Sequence, residues 1–137
     1  MRIYLIGYMG SGKSKTAELL SKIFKYDFLD TDHLVEEKLG NTITSIFNQQ
    51  GQDYFREIEK KILRTTDKKE NVIISTGGGT PCFHKNMEWM NSNGITVYLE
   101  ANAGLLFHHS AIRLKVFLLG KKLNGEKVDL HLLQGKL

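Results

Sequence analysis

The sequence predicts an α/β fold in which a central parallel sheet lies between layers of helices. Apolar segments typical of strands alternate along the chain with segments of helical periodicity, as in parallel sheets connected by helices. A glycine-rich loop joins the first strand to the first helix. The segment 71–76 is a mostly β-branched run, as expected for a central strand buried on both faces. At 137 residues, the chain has the length of a single domain.

The individual elements follow from the spacing of apolar residues along the chain. Strands are predicted over 2–6, 26–30, 71–76 and 95–99. Helices are predicted over 16–25, 32–39 and 42–49, then after Gly51 with Phe55, Ile58 and Ile62 buried, and around 87–90. On the last of these helices we expect Trp89 to pack rather than to function. Beyond the fourth strand, helices are expected to begin at 105–107 and to include 130–137, separated by a basic stretch without a clear period.

The loop between the first strand and the first helix has the spacing of a phosphate-binding loop. Residues 7–14 read Gly-Tyr-Met-Gly-Ser-Gly-Lys-Ser, which matches G-x-x-x-x-G-K-[ST]. Amide N–H groups and a helix dipole converge there on one anion site. We expect Lys13 to reach the β- and γ-phosphates and the Ser14 hydroxyl to ligate Mg²⁺. The loop therefore predicts a P-loop NTPase-type domain that binds a nucleoside triphosphate; the alternative is an ordinary glycine turn in a βα unit.

Composition limits the other functions that the chain can have. The hydrophobic content is 41%, the charged content 25%, and no apolar run approaches the length of a membrane span. The single cysteine, Cys82, rules out an internal disulfide and a cysteine-based metal site, and it fits a reducing cytosol. The formal charge of +4 could suggest nucleic acid, but the lysines are scattered. We therefore expect small anionic substrates, no nucleic acid, no membrane and a cytoplasmic location.

Two carboxylates at the end of the second strand are candidates for metal and substrate contacts. Asp30, Thr31 and Asp32 fall at the carboxyl end of that strand, where doubly wound sheets bind ligands. The third strand ends in Ser75-Thr76 without the usual metal-binding aspartate, so Asp30 is the best remaining carboxylate for Mg²⁺, acting through a water. Asp32 can face a second substrate. The alternative is that Asp32 only caps the following helix.

An arginine and a triple glycine are further candidates for substrate contacts. Arg56 lies about 100° around its helix from the buried Phe55, so it can project into the cleft. A guanidinium can hold a carboxylate with two parallel hydrogen bonds, although a surface salt bridge is the alternative. Gly77, Gly78 and Gly79 follow the third strand directly. They indicate either a tight turn or a close approach of backbone to ligand.

Taken together, these motifs resemble the shikimate kinase family. Four motifs occur in the family's order over residues 1 to about 107: G-x-M-G-x-G-K-S, D-x-D after the second strand, F-R-x-x-E and S-T-G-G-G. The resemblance implies that Asp32 holds ring hydroxyls and helps to deprotonate the attacking 3-hydroxyl, and that Arg56 clamps the shikimate carboxylate. It also implies that the glycine turn 77–79 contacts the substrate, through the Gly78 amide. The ATP contacts that it implies are Gly10, Ser11, Gly12, Lys13, Ser14 and Lys15.

The C-terminal part departs from the family pattern. The family has a mobile lid with arginines and then a helix with R-x-P-x-Y, whereas here Val116-Phe117 stands where Arg-Pro is expected. We interpret 108–122 as the lid-like region of a domain that spans 1–137, with 32–62 as the shikimate-binding-like helical segment. Arg113 is the candidate to replace the lid arginine. We favour a C-terminal truncation over the alternative, the loss of an internal stretch.

The function expected from the resemblance is that of a monomeric, Mg²⁺-dependent kinase with ATP as co-substrate. It would phosphorylate the 3-hydroxyl of shikimate on the route to chorismate and the aromatic amino acids. One alternative is a kinase for another small polyol acid such as gluconate. The other is a nucleotide-binding relative that has lost its lid chemistry and has no turnover.

Overall fold

The computed structural model describes residues 1–7 and 12–99. Within these residues, strands and helices alternate as the sequence predicts, and two short 3₁₀ turns, Thr65–Lys68 and Thr80–Cys82, flank the third strand. The strands are β1 (Arg2–Ile6), β2 (Asp27–Asp30), β3 (Val72–Ser75) and β4 (Ile95–Tyr98). The helices are α1 (Lys13–Phe24), α2 (Thr31–Leu39), α3 (Ile43–Gln50), α4 (Gln52–Arg64) and α5 (Asn86–Asn93).

The four strands form one parallel sheet in the order β2-β3-β1-β4. β3 lies between β2 and β1 and is buried along its whole length, which confirms the prediction from its β-branched sequence. In this register Ser75 at the end of β3 pairs with both Leu5 and Asp30. The carboxyl ends of β1, β2 and β3 therefore meet at one edge of the sheet, where ligands bind in folds of this class.

Both faces of the sheet are covered, which gives the three-layer arrangement that the sequence predicts. One face packs against α1 and the other against the end of α4 and α5. A third apolar cluster fixes α2 and α3 against α4. The three clusters are Ile3, Leu5, Ala17, Leu20, Ile73, Ile95, Val97 and Leu99; Tyr4, Ile6, Leu63, Val72, Ile74 and Met90; and Val35, Ile46, Phe55 and Ile62.

The predicted boundaries are correct to within a few residues, and helix caps explain most of the shifts. α1 begins earlier than predicted, at Lys13, because Gly12 adopts the left-handed conformation (φ 84°) that starts the helix. Thr42 is the N-cap of α3 and not its first residue, since its side chain accepts a hydrogen bond from the Ser45 amide. Gly51 ends α3 and begins α4, as expected, with φ of 86°.

Several predictions fall on residues outside the described ranges. These are the helices near 105–107 and 130–137, the lid-like region 108–122 with Arg113, and the phosphate-loop residues Gly10 and Ser11. Trp89 packs against Tyr4 with a ring centroid distance of 6.0 Å, in agreement with the packing role predicted for it. Within residues 1–7 and 12–99, the model contains no helix with the length and apolarity that a membrane crossing requires.

Candidate active site

The first side of the site is the junction between the phosphate loop and α1. Gly12 and Lys13 lie where β1 passes through the loop into the helix, and Lys13 is buried (8% exposed). The Lys13 ammonium donates a hydrogen bond to the Gly7 carbonyl. Burial lowers the pKa of Lys13, while the nearby carboxylates of Asp32 and Asp30 raise it. The ammonium is thus close enough to interact with the charges of both carboxylates that the sequence singled out.

Ser14, Asp30 and Ser75 form an oxygen cluster at the end of the sheet. The Ser14 hydroxyl donates a hydrogen bond to Asp30 Oδ2 at 2.7 Å, and its oxygen lies 3.5 Å from Ser75 Oγ. Three elements contribute one residue each, namely α1, β2 and β3. Oxygen ligands of this kind suit Mg²⁺, which binds one or two protein groups together with waters and phosphate oxygens. Lys15 follows Ser14 in the first turn of α1 and is exposed.

The cap of α2 is Asp30 rather than Asp32. Asp30 Oδ1 accepts hydrogen bonds from the amides of Asp32 (3.0 Å) and His33 (3.3 Å). The alternative in which Asp32 serves only as the helix cap is therefore wrong, because strand β2 runs directly into the helix at Asp30. The other oxygen of Asp30 remains on Ser14, so one carboxylate joins the helix cap to the oxygen cluster.

Asp32 lies in the first turn of α2, partly buried among other acids. Burial, together with the charges of Asp30 and Glu59, raises its pKa to about 6, against the opposite effect of Lys13. A carboxyl group with a pKa near 6 is ionised at neutral pH and is a better proton acceptor than an ordinary aspartate. This arrangement is suited to general-base chemistry.

Glu59 is the centre of a buried polar network that joins α4 to the turn after β3. Its side chain is fully buried, and both of its oxygens accept hydrogen bonds from Arg56 Nη1, at 3.0 and 3.2 Å. Its Oε2 also accepts a hydrogen bond from the Thr80 hydroxyl at 2.9 Å. The ion pair of Arg56 is thus not at the surface, because its partner is inaccessible to water.

The Arg56 guanidinium is held among aromatic rings, and one of its edges donates no hydrogen bond within the described residues. Its Cζ lies 4.1 Å from the ring centroid of Phe83, 5.1 Å from that of Phe55 and 5.9 Å from that of Phe47. Its hydrogen bonds within the described residues come from Nη1, and the buried Nε has no partner there. Nε and Nη2 form the edge that can hold a carboxylate with two parallel bonds. The guanidinium is more enclosed than expected (12% exposed side chain), since it stacks on rings.

The glycine turn is required for space and not for an unusual backbone conformation. Neither Gly77 nor Gly79 has φ in the left-handed region. A Cβ at Gly77 would lie 2.8 Å from Asp32 Oδ1 and 3.2 Å from Glu59 Oε2, and a Cβ at Gly79 would lie 2.5 Å from Arg56 Nη2. Gly78 lies between them and is half-buried. The turn therefore brings Asp32, Glu59 and Arg56 around a backbone without side chains.

Most of the candidate residues lie together at this edge of the sheet. The turn formed by Gly77 and Gly79 lies against the side chains of Asp32 and Arg56. At the same edge, Ser14 contacts Asp30. Sequence reasoning gave no role to Glu59, Ser75, Thr80 or Phe83. Glu59 belongs to the quoted F-R-x-x-E motif, which could have indicated it, whereas Phe83 carries no periodic or motif signal.

Comparison with known proteins identifies the family. The family model described as shikimate kinase matches residues 9–129. The chain belongs to the shikimate kinase family.

Individual shikimate kinases are similar to most of the chain. The protein from Azobacteroides pseudotrichonymphae is 50% identical over 106 residues, covering 77% of this chain and 62% of its own length. The one from Phocaeicola vulgatus is 41% identical over 132 residues, covering 96% of this chain and 73% of its own length. The chain thus spans about three-fifths to three-quarters of the length of these shikimate kinases.

Solved shikimate kinase structures have the same fold. The structure from Bacteroides thetaiotaomicron is 42% identical with a TM-score of 0.75, and the match covers 78% of this chain and 63% of that one. The shikimate kinase from Acinetobacter baumannii, solved in complex with shikimate, is 35% identical with a TM-score of 0.73, covering 80% and 61%.

Proposed function

We propose that this chain transfers the γ-phosphoryl group of ATP to the 3-hydroxyl of shikimate, a step towards chorismate and the aromatic amino acids. One observation carries the proposal above the others. The Arg56 guanidinium, whose Nε and Nη2 edge donates no hydrogen bond within the described residues, lies around the same glycine turn as the Asp32 carboxylate, which in turn is close enough to Lys13 for their charges to interact. A grip for a carboxylate, an acceptor for a hydroxyl proton and a phosphate-binding lysine fit a small hydroxy acid as the phosphoryl acceptor.

In the proposed mechanism, each side chain acts at a separate part of the reacting pair. Arg56 binds the acceptor's carboxylate and thereby fixes its orientation. Asp32 binds the ring hydroxyls and accepts the proton from the attacking one. Lys13 stabilises negative charge on the β- and γ-phosphates. Glu59 holds Arg56 and Thr80 in place, so the clamp needs little rearrangement when the acceptor arrives. Outside the described residues, we assign Gly10 and Ser11 to ATP and Arg113 to the lid.

The Mg²⁺ that ATP brings to kinases fits the oxygen cluster of this site. Ser14 and Asp30 would hold it, Asp30 through a water, since both present hard oxygen ligands at the end of the sheet. When bound, the ion would neutralise negative charge on the phosphates. We further propose that the protein acts as a monomer in the cytoplasm, where its co-substrate ATP is available.

Arg56→Lys tests the acceptor clamp. Lysine keeps a positive charge beside Glu59 but lacks the planar fork, so it loses one of two charged hydrogen bonds, worth about 1.5–3 kcal/mol. We expect the KM for shikimate to rise about 10- to 100-fold with the KM for ATP unchanged, measured by ADP release. The matched control is Lys61→Arg, an exposed residue on the same helix. A KM shift no larger than that of Lys61→Arg would contradict the clamp.

The alternatives to shikimate phosphorylation are separated by two assays on the 137-residue chain. A coupled ADP-release assay across several small polyol acids, gluconate included, is expected to give turnover that depends on shikimate. Turnover with gluconate instead would favour the other polyol-acid kinase. ATP binding by calorimetry without turnover on any acid would favour a nucleotide-binding relative that lacks lid chemistry.

A further inference from the structure

The aromatic face beneath the Arg56 guanidinium comes from the turn between β3 and α5. Among the three rings near this guanidinium, that of Phe83 is the closest, at 4.1 Å from Cζ. Phe55 and Phe47 belong to the apolar cluster of α2, α3 and α4 and contact each other at 4.6 Å, so their packing is explained without Arg56. Phe83 is half-buried and belongs to none of the three core clusters.

The turn that carries Phe83 is fixed by hydrogen bonds on both sides of the ring. Before it, the Thr80 hydroxyl donates to Glu59, and the Thr80 carbonyl accepts from Asn86 Nδ2 at 2.9 Å. After it, Arg64 donates to the His84 carbonyl at 3.1 Å and to Asn86 Oδ1 at 3.0 Å. Arg56, Glu59 and Arg64 all belong to α4, so one helix carries the guanidinium and also holds the ring beneath it.

The backbone immediately after Phe83 is unfavourable for the residues that occupy it. His84 and Lys85 are consecutive non-glycine residues in the left-handed region, with φ of 50° and 55°. Such conformations are costly for residues with a Cβ and persist only where the surroundings impose them. Here Arg64 hydrogen-bonds the His84 carbonyl and the Asn86 side chain, one on each side of Lys85. The reversal turns the chain away directly after the ring, which leaves Phe83 over the guanidinium.

We propose that Phe83 is a positioning residue for the acceptor site: its ring sets the plane of the Arg56 guanidinium and so directs the Nε and Nη2 edge at the acceptor's carboxylate. Glu59 fixes only the Nη1 corner of the guanidinium, about which the plane can still tilt. A ring whose centroid lies 4.1 Å from Cζ restricts that tilt and adds a cation–π attraction. The inference rests on the proposed function, since it assumes that Arg56 binds an acid.

The first experiment compares Phe83→Leu with Phe83→Tyr in the ADP-release assay. Leucine keeps apolar volume but lacks the π face, whereas tyrosine retains the face. We expect Phe83→Leu to raise the KM for shikimate about 2- to 30-fold, the range of cation–π attractions. Phe83→Tyr should stay within about twofold of the unsubstituted chain, and the KM for ATP should not change. The control is Phe24→Leu, an exposed ring on α1.

The second experiment does not require a substrate. A double-mutant cycle of Phe83→Leu and Arg56→Lys in urea unfolding measures the coupling between ring and guanidinium, with the charge beside Glu59 retained. We expect the unfolding equilibrium constants to depart from additivity by a factor of about 2 to 30.

The outcomes separate this inference from the proposed function. Failure of the unsubstituted chain to turn over shikimate would overturn the proposed function alone, and the cycle would then decide whether Phe83 positions Arg56. A cycle without coupling overturns the inference in either case. If the unsubstituted chain does turn over shikimate, two further results would overturn the inference on Phe83. One is a shikimate KM of Phe83→Leu that is no higher than that of Phe24→Leu. The other is an equal rise of the KM values for ATP and shikimate in Phe83→Leu.

Discussion

Three acidic side chains and two basic ones meet at the candidate site within the described residues. Asp30, Asp32 and Glu59 face Lys13 and Arg56, so the carboxylates exceed the cations. Burial raises the pKa of Asp32, and the imbalance adds to this effect because the charges of Asp30 and Glu59 oppose the attraction of Lys13. Proteins retain such unfavourable charge where function requires a reactive group.

Asp32→Asn is expected to stabilise the protein at neutral pH and to slow catalysis. The unfolded carboxyl ionises near its ordinary pKa of 3.8 and the folded one near 6, so the folded state binds more protons between these values. The free energy of unfolding therefore falls as pH rises through this window and stays lower above it. Removing the charge should restore about 1–3 kcal/mol above pH 7. With no general base, kcat should fall about 10²–10⁴-fold.

Urea unfolding at pH 4 and at pH 7.5 checks this expectation. Asp32→Asn should raise the free energy of unfolding at pH 7.5 but hardly at pH 4. At pH 4 the Asp32 carboxyl of the folded wild-type protein is protonated, so most of the destabilisation by its charge is already absent. Asp27→Asn, at an exposed position on β2, serves as the control. An equal gain at both pH values would show that the charge of Asp32 is not its source.

Gly79→Ala is expected to weaken the acceptor clamp through a single methyl group. The new Cβ would lie 2.5 Å from Arg56 Nη2, so the guanidinium must move although Glu59 and Phe83 hold it. We expect the KM for shikimate to rise about tenfold, as for a charged hydrogen bond of about 1.4 kcal/mol. In an Arg56→Lys background the same change should add little, because no Nη2 is present. Additive effects in the ADP-release assay would contradict this explanation.

At the scale of single residues, the sequence predicts which side chains are present but not how they divide their tasks. Asp30 and Asp32 are two positions apart, and each fits the start of a helix by residue type. Only the end of β2 decides that Asp30 is the cap. The burial of Glu59 depends on Thr80 and Gly77, which come from another part of the chain. A local pattern contains no such contact.

Helix ends illustrate the energetics at the scale of elements. α1 and α2 both end in a left-handed residue whose amide donates back to the helix, Lys25 with φ of 57° and Gly40 with φ of 63°. Glycine adopts this conformation freely, whereas a residue with a Cβ does not. The two helices thus have the same C-cap geometry, with a residue that suits this conformation in α2 (Gly40) and one that does not in α1 (Lys25).

Lys25→Gly is expected to raise the free energy of unfolding by about 0.5–1 kcal/mol. Glycine relieves the backbone strain of the folded state, and this relief is larger than the free-energy cost of ordering the more flexible glycine on folding. The matched change, Gly40→Ala, should lower it by about 1 kcal/mol. A Cβ at Gly40 would meet nothing within 4 Å, so the loss would be conformational only. Urea unfolding of both variants measures this, and shifts of the same sign would contradict it.

Elements were more predictable than site contacts because their signals are local. The spacing of Phe55 and Ile62 in α4 and the β-branched run at Ile73 and Ile74 reflect burial on one face or on both. Errors occur at the ends, where caps such as Thr42 and Gly12 decide the first residue. Phe83 follows the glycine turn in a segment without periodicity, so sequence reasoning assigned this residue no role.

For the molecule as a whole, the parallel sheet brings distant motifs to one edge. The sequence predicted this convergence, because carboxyl ends of parallel strands share an edge in this class of fold. The strand order and the register that place Asp30 beside Ser75 were not predicted. Pairing between strands depends on side-chain packing across the sheet, which no segment encodes alone.

The central place of β3 has a consequence for the order of folding. β1 and β2 are synthesised first, yet they do not pair with each other, since β3 lies between them. The nascent chain thus carries two strands without a common neighbour until Val72–Ser75 has left the ribosome. The oxygen cluster at Ser14, Asp30 and Ser75 arises only when this third strand inserts, a step that closes two long loops and is correspondingly slow. The oxygen cluster, which we propose as the Mg²⁺ site, therefore forms late in folding.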